Sequence, residues 1–217
     1  MRTLHVSTST TGRVLVEDPA GAISGTLIGC HGYGQNAAIM LEELKRIPGA
    51  ERWRLVSVQA LHRFYTRNDQ AVVASWMTRE DREQAIGDNI DYMNRVVAAL
   101  MEPGPGPAIA SPTVFLGFSQ GASMAARAAV CGSTRPAGLI MIGGDIPSDV
   151  REQDFAHWPR VLIGCGDTDT WYGARVEADV AFLRERGVPH EVVRFTGGHE
   201  FTDEFRSLAG AWLARLG

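Results

Sequence analysis

A serine set between two glycines at the end of an apolar run is where this chain first suggests chemistry. Residues 114–122 read Val-Phe-Leu-Gly-Phe-Ser-Gln-Gly-Ala, so Gly117 and Gly121 flank Ser119. A serine hydroxyl is a weak nucleophile until a base takes its proton, and a turn must lift it clear of the backbone. A strand, a strained turn and a helix do the lifting and form a nucleophile elbow. Glycines are needed on either side because β-carbons there would strike the neighbouring strand or helix. The next amide, that of Gln120, opens the helix, where N–H groups are unpaired and the dipole is positive, so it can hold an oxyanion.

A base and an orienting acid should follow on loops at the carboxyl ends of later strands. His199 fits the base: it lies in Thr-Gly-Gly-His-Glu (196–200), after the last apolar strand and before a helix. The other histidines, His5, His31, His62, His157 and His190, read as surface or satisfied core residues. The acid is Asp167 or Asp169, in Cys-Gly-Asp-Thr-Asp (165–169). The two are separated by one residue, one of them is expected to reach the imidazole, and spacing leaves the choice open. The order Ser, Asp, His is that of an α/β-hydrolase. A second oxyanion donor is expected from the loop His-Gly-Tyr-Gly-Gln (31–35), with the Tyr33 N–H as candidate.

These residues need a scaffold of alternating strands and helices. Short leading strands are expected at 4–7 and 14–17, then apolar, β-branched strands at 26–30, 55–58, 113–118, 139–142, 161–164 and 192–195. The clearest helix spans 81–101, where Ile86, Ile90, Met93, Val97 and Leu100 mark the face turned to the sheet. Pro-Gly-Pro-Gly-Pro at 103–107 ends that helix as a stiff connection within one domain, taken as 1–217.

At this point the chain resembles the phospholipase/carboxylesterase family, which includes small bacterial carboxylesterases and the acyl-protein thioesterases. The resemblance rests on His31-Gly32-Tyr33-Gly34, Gly117-Phe118-Ser119-Gln120-Gly121, Gly166-Asp167-Thr168-Asp169 and Gly198-His199. It implies an α/β-hydrolase fold with a mostly parallel central sheet, helices on both faces, a minimal or absent lid and no metal. In the family's acid loop the second aspartate is catalytic, which selects Asp169. Here Thr170 stands where that loop has proline, followed by Trp171 and Tyr172, and Tyr33 and Gln35 replace the Leu and Asp of the thioesterases. Those departures bear on the substrate more than on the Ser119, Asp169, His199 triad.

Composition narrows the class further. A chain of 217 residues with 45% hydrophobic content suits a globular domain with a large core. A net charge of −4, with both signs interspersed, offers no basic stripe for nucleic acid and no polybasic anchor. The amino terminus lacks the apolar run of a signal peptide, and the expected location is cytoplasmic. Cys30, Cys131 and Cys165 cannot all pair and read as reduced packing residues. Phe64, Tyr65, Trp76 and Trp171 are candidate walls of an acyl or aryl pocket, the first three within a long loop at 60–80. The expected activity is cofactor-free hydrolysis of small to medium carboxylic esters, thioesters and lysophospholipids included, through an acyl-enzyme. Its alternatives are a non-catalytic scaffold that binds a small molecule or partner, or acyl transfer to an acceptor such as peroxide. Oligomeric state is left open, a homodimer included.

Overall fold

The computed structural model describes residues 1–101, 112–154 and 157–216. Seven strands form one sheet: β1 (Arg13–Glu17), β2 (Thr26–Cys30), β3 (Arg54–Gln59), β6 (Thr113–Phe118), β7 (Gly138–Ile142), β8 (Arg160–Gly166) and β9 (His190–Phe195). Their order across the sheet is β1-β3-β2-β6-β7-β8-β9. All neighbours run parallel except β1, which pairs antiparallel with β3 at one edge.

Strand side chains alternate between two apolar layers, as the period of a strand requires. On one face Ile28, Val56, Phe115, Met141 and Ile163 pack against α2 (Arg82–Met101), α3 (Gln120–Val130) and α5 (Gly173–Glu185). On the other, Leu27, Leu55, Leu116, Ile140 and Leu162 pack against α1 (Ala37–Lys45) and α6 (Asp203–Leu213). A short helix, α4 (Ser148–Arg151), is held by bidentate bonds of 2.7 Å from the buried Arg127 of α3 to Asp149. The arrangement is the expected one of helices on both faces of a mostly parallel sheet.

Three local expectations need correction. No strand forms at 4–7, where Leu4 and Val6 are exposed, and the sheet begins at its edge with β1. The segment at 60–80 is not one long loop, since β4 (His62–Tyr65) and β5 (Val72–Ser75) pair as an antiparallel hairpin. Its first strand, His-Arg-Phe-Tyr, is largely solvent-facing and carries no apolar alternation to announce it. In α2 the buried stripe is Ala85, Asn89, Met93, Val96 and Val97, whereas Ile86, Ile90 and Leu100 flank it half-buried. The stripe is rotated because the polar Asn89 is drawn inward, donating to the carbonyls of Trp76 at 2.7 Å and Ala85 at 2.6 Å. The Pro/Gly connection at 103–107 lies outside the described residues.

Candidate active site

β6 is the central strand of the sheet, and Ser119 sits on the turn between its end and α3. Its backbone is at φ 54° and ψ −120°, a conformation that costs a non-glycine residue ~1–3 kcal/mol. The surroundings hold it there: the Ser119 N–H donates to the Ile142 carbonyl at 2.9 Å. The flanking glycines are sterically obligatory. A β-carbon on Gly117 would lie 2.1 Å from the Gly121 carbonyl oxygen, and one on Gly121 would lie 2.0 Å from that of Cys30.

Two later loops bring their side chains to this serine. His199 Nε2 is 2.8 Å from Ser119 Oγ, and His199 Nδ1 is 2.9 Å from Asp169 Oδ2. The loop after β8 aims Asp169 by turning its own backbone onto the carboxylate: the N–H groups of Trp171 and Tyr172 both donate to Oδ1 at 2.9 Å. Burial by itself would raise the Asp169 carboxyl, but the Tyr172 N–H, the imidazole and the Trp171 N–H outweigh it. The group is held below the usual carboxylate range and stays ionised beside the imidazole. Asp167 points elsewhere, accepting from the Gly197 N–H at 3.0 Å, while the Thr168 hydroxyl donates to the Gly197 carbonyl at 2.8 Å. Asp167 and Thr168 thus lash the acid loop to the histidine loop.

The histidine is confined by packing as well. The Phe118 ring centroid lies 5.0 Å from that of His199, tilted at 41°. On another side sits Gly143, at φ 60°, where a β-carbon would come within 3.0 Å of His199 Cε1. Gly143 escaped the sequence reading, although a Gly-Gly pair directly after β7 was a usable signal for close backbone approach.

The loop 31–35 arches over the elbow. Gly32 N–H donates to Gln35 Oε1 at 2.8 Å, and the Gly32 carbonyl accepts from the Gln35 N–H at 3.2 Å. His31 is fully buried, with Nδ1 2.8 Å from the Gly32 carbonyl and Nε2 accepting the Ala60 N–H at 3.1 Å. That pair of partners requires neutral imidazole with its proton on Nδ1; burial lowers its pKa, partly opposed by the Gly32 carbonyl. Among the described residues, the N–H groups of Tyr33 and Gln120 have no acceptor. Free amides at those two positions are what an oxyanion hole requires.

The four aromatics fare differently. Phe64 is half-buried and stacks on Tyr33 at 5.5 Å, while Tyr65 and Trp171 are exposed. Trp76 is not a pocket wall: it is 0% exposed, part of the core against α2, and its indole N–H donates to the His31 carbonyl at 2.8 Å. The large apolar ring favours burial in the core, and the His31 carbonyl gives the indole N–H the partner it would otherwise lack there. Cys30 and Cys165 are buried, and burial pushes both thiols up, away from thiolate character.

The chain is similar in fold to an acyl-protein thioesterase 2 from Zea mays, with a TM-score of 0.74, 18% identity, and 95% of this chain and 100% of that one covered. A Bacillus cereus carboxylesterase gives 0.70 at 17% identity over 95% of each chain. A Mesorhizobium loti carboxylesterase gives 0.69 at 21% identity, covering 94% of this chain and 93% of its own. No curated protein matches the chain significantly. The family model described as Phospholipase/Carboxylesterase matches residues 12–169, a span that carries Tyr33, Ser119 and Asp169 and stops short of His199. With well over half of its length matched, the chain belongs to the phospholipase/carboxylesterase family of α/β-hydrolases.

Proposed function

We propose that this chain is a serine carboxylesterase that hydrolyses small to medium carboxylic esters through an acyl-enzyme, with Ser119, His199 and Asp169 as its triad. The observation that carries the reading is the unbroken hydrogen-bond chain from Ser119 Oγ through both imidazole nitrogens to a buried carboxylate. In the first half-reaction His199 Nε2 accepts the Ser119 proton as Oγ attacks the ester carbonyl. Asp169 keeps the other imidazole proton on Nδ1 and stabilises the imidazolium that forms. The amides of Tyr33 and Gln120 receive the negative charge on the former carbonyl oxygen. The imidazolium then protonates the leaving alcohol, and water repeats the sequence to release the acid and free Ser119.

The acyl or aryl side of the substrate is assigned to Phe64, Tyr65 and Trp171, all at least partly open to solvent. Phe64 braces the ring of Tyr33, whose own amide is an oxyanion donor, so the contact links substrate width to the reacting carbonyl. One domain holds the machinery, since its sheet draws strands from Arg13 to Phe195. Action in the cytoplasm fits three free cysteines, and among the described residues no helix is long and apolar enough to cross a membrane.

The test is hydrolysis of p-nitrophenyl esters from acetate to long acyl chains, with a matched thioester, by the intact chain and by Ser119→Ala. Turnover that vanishes with the substitution supports the reading, and the chain-length optimum sizes the pocket. Turnover that survives Ser119→Ala refutes the nucleophile. No turnover on any ester points to a binding scaffold, and products formed only with added alcohol or peroxide point to acyl transfer.

A further inference from the structure

We propose that the side chain of Gln120 is the positioning element that sets the two halves of the oxyanion hole against each other, in addition to the backbone N–H that Gln120 contributes. The proposal rests on the hydrolase reading above and concerns the same site.

The two amide donors sit on separate parts of the chain. Gln120 N–H belongs to the elbow and Tyr33 N–H to the loop after β2, so their spacing is set by whatever couples the two. Beyond the pairing of β2 with β6 and the close approach of Gly121 to the Cys30 carbonyl, the coupling runs through the end of β5 and the residues after it, 74–77. The first of these residues holds the loop: the Gly34 N–H donates to the Ala74 carbonyl at 3.0 Å, and the Ala74 N–H donates to the Gln35 carbonyl at 2.8 Å. The Trp76 indole adds a third tie, to the His31 carbonyl at 2.8 Å.

The other end of this splint is grasped by the Gln120 amide. Gln120 Oε1 accepts the Trp76 N–H at 2.9 Å and lies 3.2 Å from the Ser75 hydroxyl, while Nε2 donates to the Met77 carbonyl at 2.9 Å. A primary amide is the one uncharged side chain that offers an acceptor and a donor side by side, and here each faces its complement on the backbone. A carboxylate could not donate to Met77, and an apolar side chain would leave the Trp76 N–H and the Met77 carbonyl without these partners.

Peptide geometry carries the effect to the reacting atom. In a trans peptide the C=O and the following N–H point in opposite directions. The Gly32 carbonyl is pinned by His31 Nδ1 and by the Gln35 N–H, so the Tyr33 N–H is turned to the opposite side. That peptide is carried by the loop that Ala74 and Trp76 hold, and Trp76 is held in turn by Gln120. Releasing the clasp lets the loop drift relative to the elbow while His199, Asp169 and Trp171, carried by the loops after β8 and β9, keep their own supports. The loss therefore falls on the transition state, where oxyanion charge exists, more than on ground-state binding.

The experiment compares the intact chain with Gln120→Met, close in volume and unable to make the three contacts, and with Gln120→Asn, which keeps the amide but lacks the reach. Each is assayed for kcat and KM on p-nitrophenyl butyrate, for inhibition by butylboronic acid, and for thermal midpoint. The expected result is a fall in kcat of about 10- to 100-fold with KM within about twofold, since donor misplacement near 1 Å costs rate on that scale. Boronate inhibition, which places a tetrahedral adduct oxygen in the hole, should weaken by a comparable factor. The Asn variant should match the Met variant, and it decides the matter if Gln120→Met does not melt cooperatively. Retention of kcat within about threefold in a folded variant overturns the proposal. So does a KM that rises in step with the loss of kcat, which would mark general loosening. Ser119→Ala separates the two layers: if it stays active, the hydrolase reading fails; if it is inactive while Gln120→Met keeps its kcat, only the clasp fails.

Discussion

Replacing Asp169 by asparagine separates the charge of the proposed triad acid from its shape. The asparagine carbonyl can take the place of Oδ1 and keep the N–H groups of Trp171 and Tyr172, each now at 2.9 Å. Its amide nitrogen then faces His199 Nδ1, where Oδ2 now lies at 2.9 Å. Two N–H donors cannot share that contact, so the imidazole moves its proton to Nε2. Nε2 would then donate to Ser119 Oγ across the 2.8 Å contact where the reaction needs an acceptor. Loss of the correct tautomer in such a triad lowers kcat by ~10⁴-fold. At 1.36 kcal/mol per decade that is about 5 kcal/mol of transition-state stabilisation. Asp167→Asn is the control, because its carbonyl oxygen can still accept the Gly197 N–H that now binds Asp167 Oδ1. Turnover of p-nitrophenyl butyrate, normalised to titrated Ser119, should fall about 10⁴-fold for the first variant and less than about threefold for the second. Above ~10% residual activity in Asp169→Asn, or a greater loss in Asp167→Asn, the assignment of the acid is wrong.

Three further outcomes follow from other parts of the structure. The Asp179 carboxyl, buried in α5, is pushed up to about 6 by desolvation, against the pull of the Tyr172 hydroxyl, the Ile146 N–H and Arg151. The folded state therefore binds that proton more tightly than the unfolded chain does. Stability of the intact chain relative to Asp179→Asn should decline as pH rises from ~4 to ~6 and then level off, as read from urea midpoints; a relative gain with pH would contradict the burial argument. Gly121→Ala would put a β-carbon 2.0 Å from the Cys30 carbonyl oxygen, so it should abolish turnover and cost ~3 kcal/mol or more in denaturant unfolding. Trp171→Ala removes a ring that is 65% exposed, and should alter stability by less than ~0.5 kcal/mol while raising KM for long acyl or aryl esters and sparing acetate.

Much of the site was legible because its residues sit at breaks in pattern that only a few local geometries explain. A glycine at 117 and another at 121, between an apolar strand and an alanine-rich helix, announce a turn that excludes β-carbons, and the contacts at both positions bear this out. His199 stood out as the histidine that follows the last strand in a glycine-bearing loop. The choice between Asp167 and Asp169 was different: two carboxylates one residue apart look alike in sequence, and resemblance to a family had to separate them. The geometry puts Asp169 on the imidazole and Asp167 on the Gly197 amide because the backbone turns at Trp171 and Tyr172.

The aromatics mark where local reading ended. Phe64, Tyr65 and Trp76 lie on one short stretch and looked equivalent, yet Trp76, just past the hairpin, is wholly inside while Tyr65, on its first strand, stays in solvent. Nothing near Gln120 in sequence hinted that its amide would reach the Ser75 hydroxyl and the backbone of residues 76 and 77, more than 40 positions earlier. By itself the sequence determined the alternation of strands and helices, the elbow and the order of the proposed nucleophile, acid and base, since each depends on period, steric tolerance or chain order. Only the tertiary structure decided which carboxylate orients the imidazole, which aromatic is buried and what holds the oxyanion loop, because these depend on contacts between segments far apart in the chain.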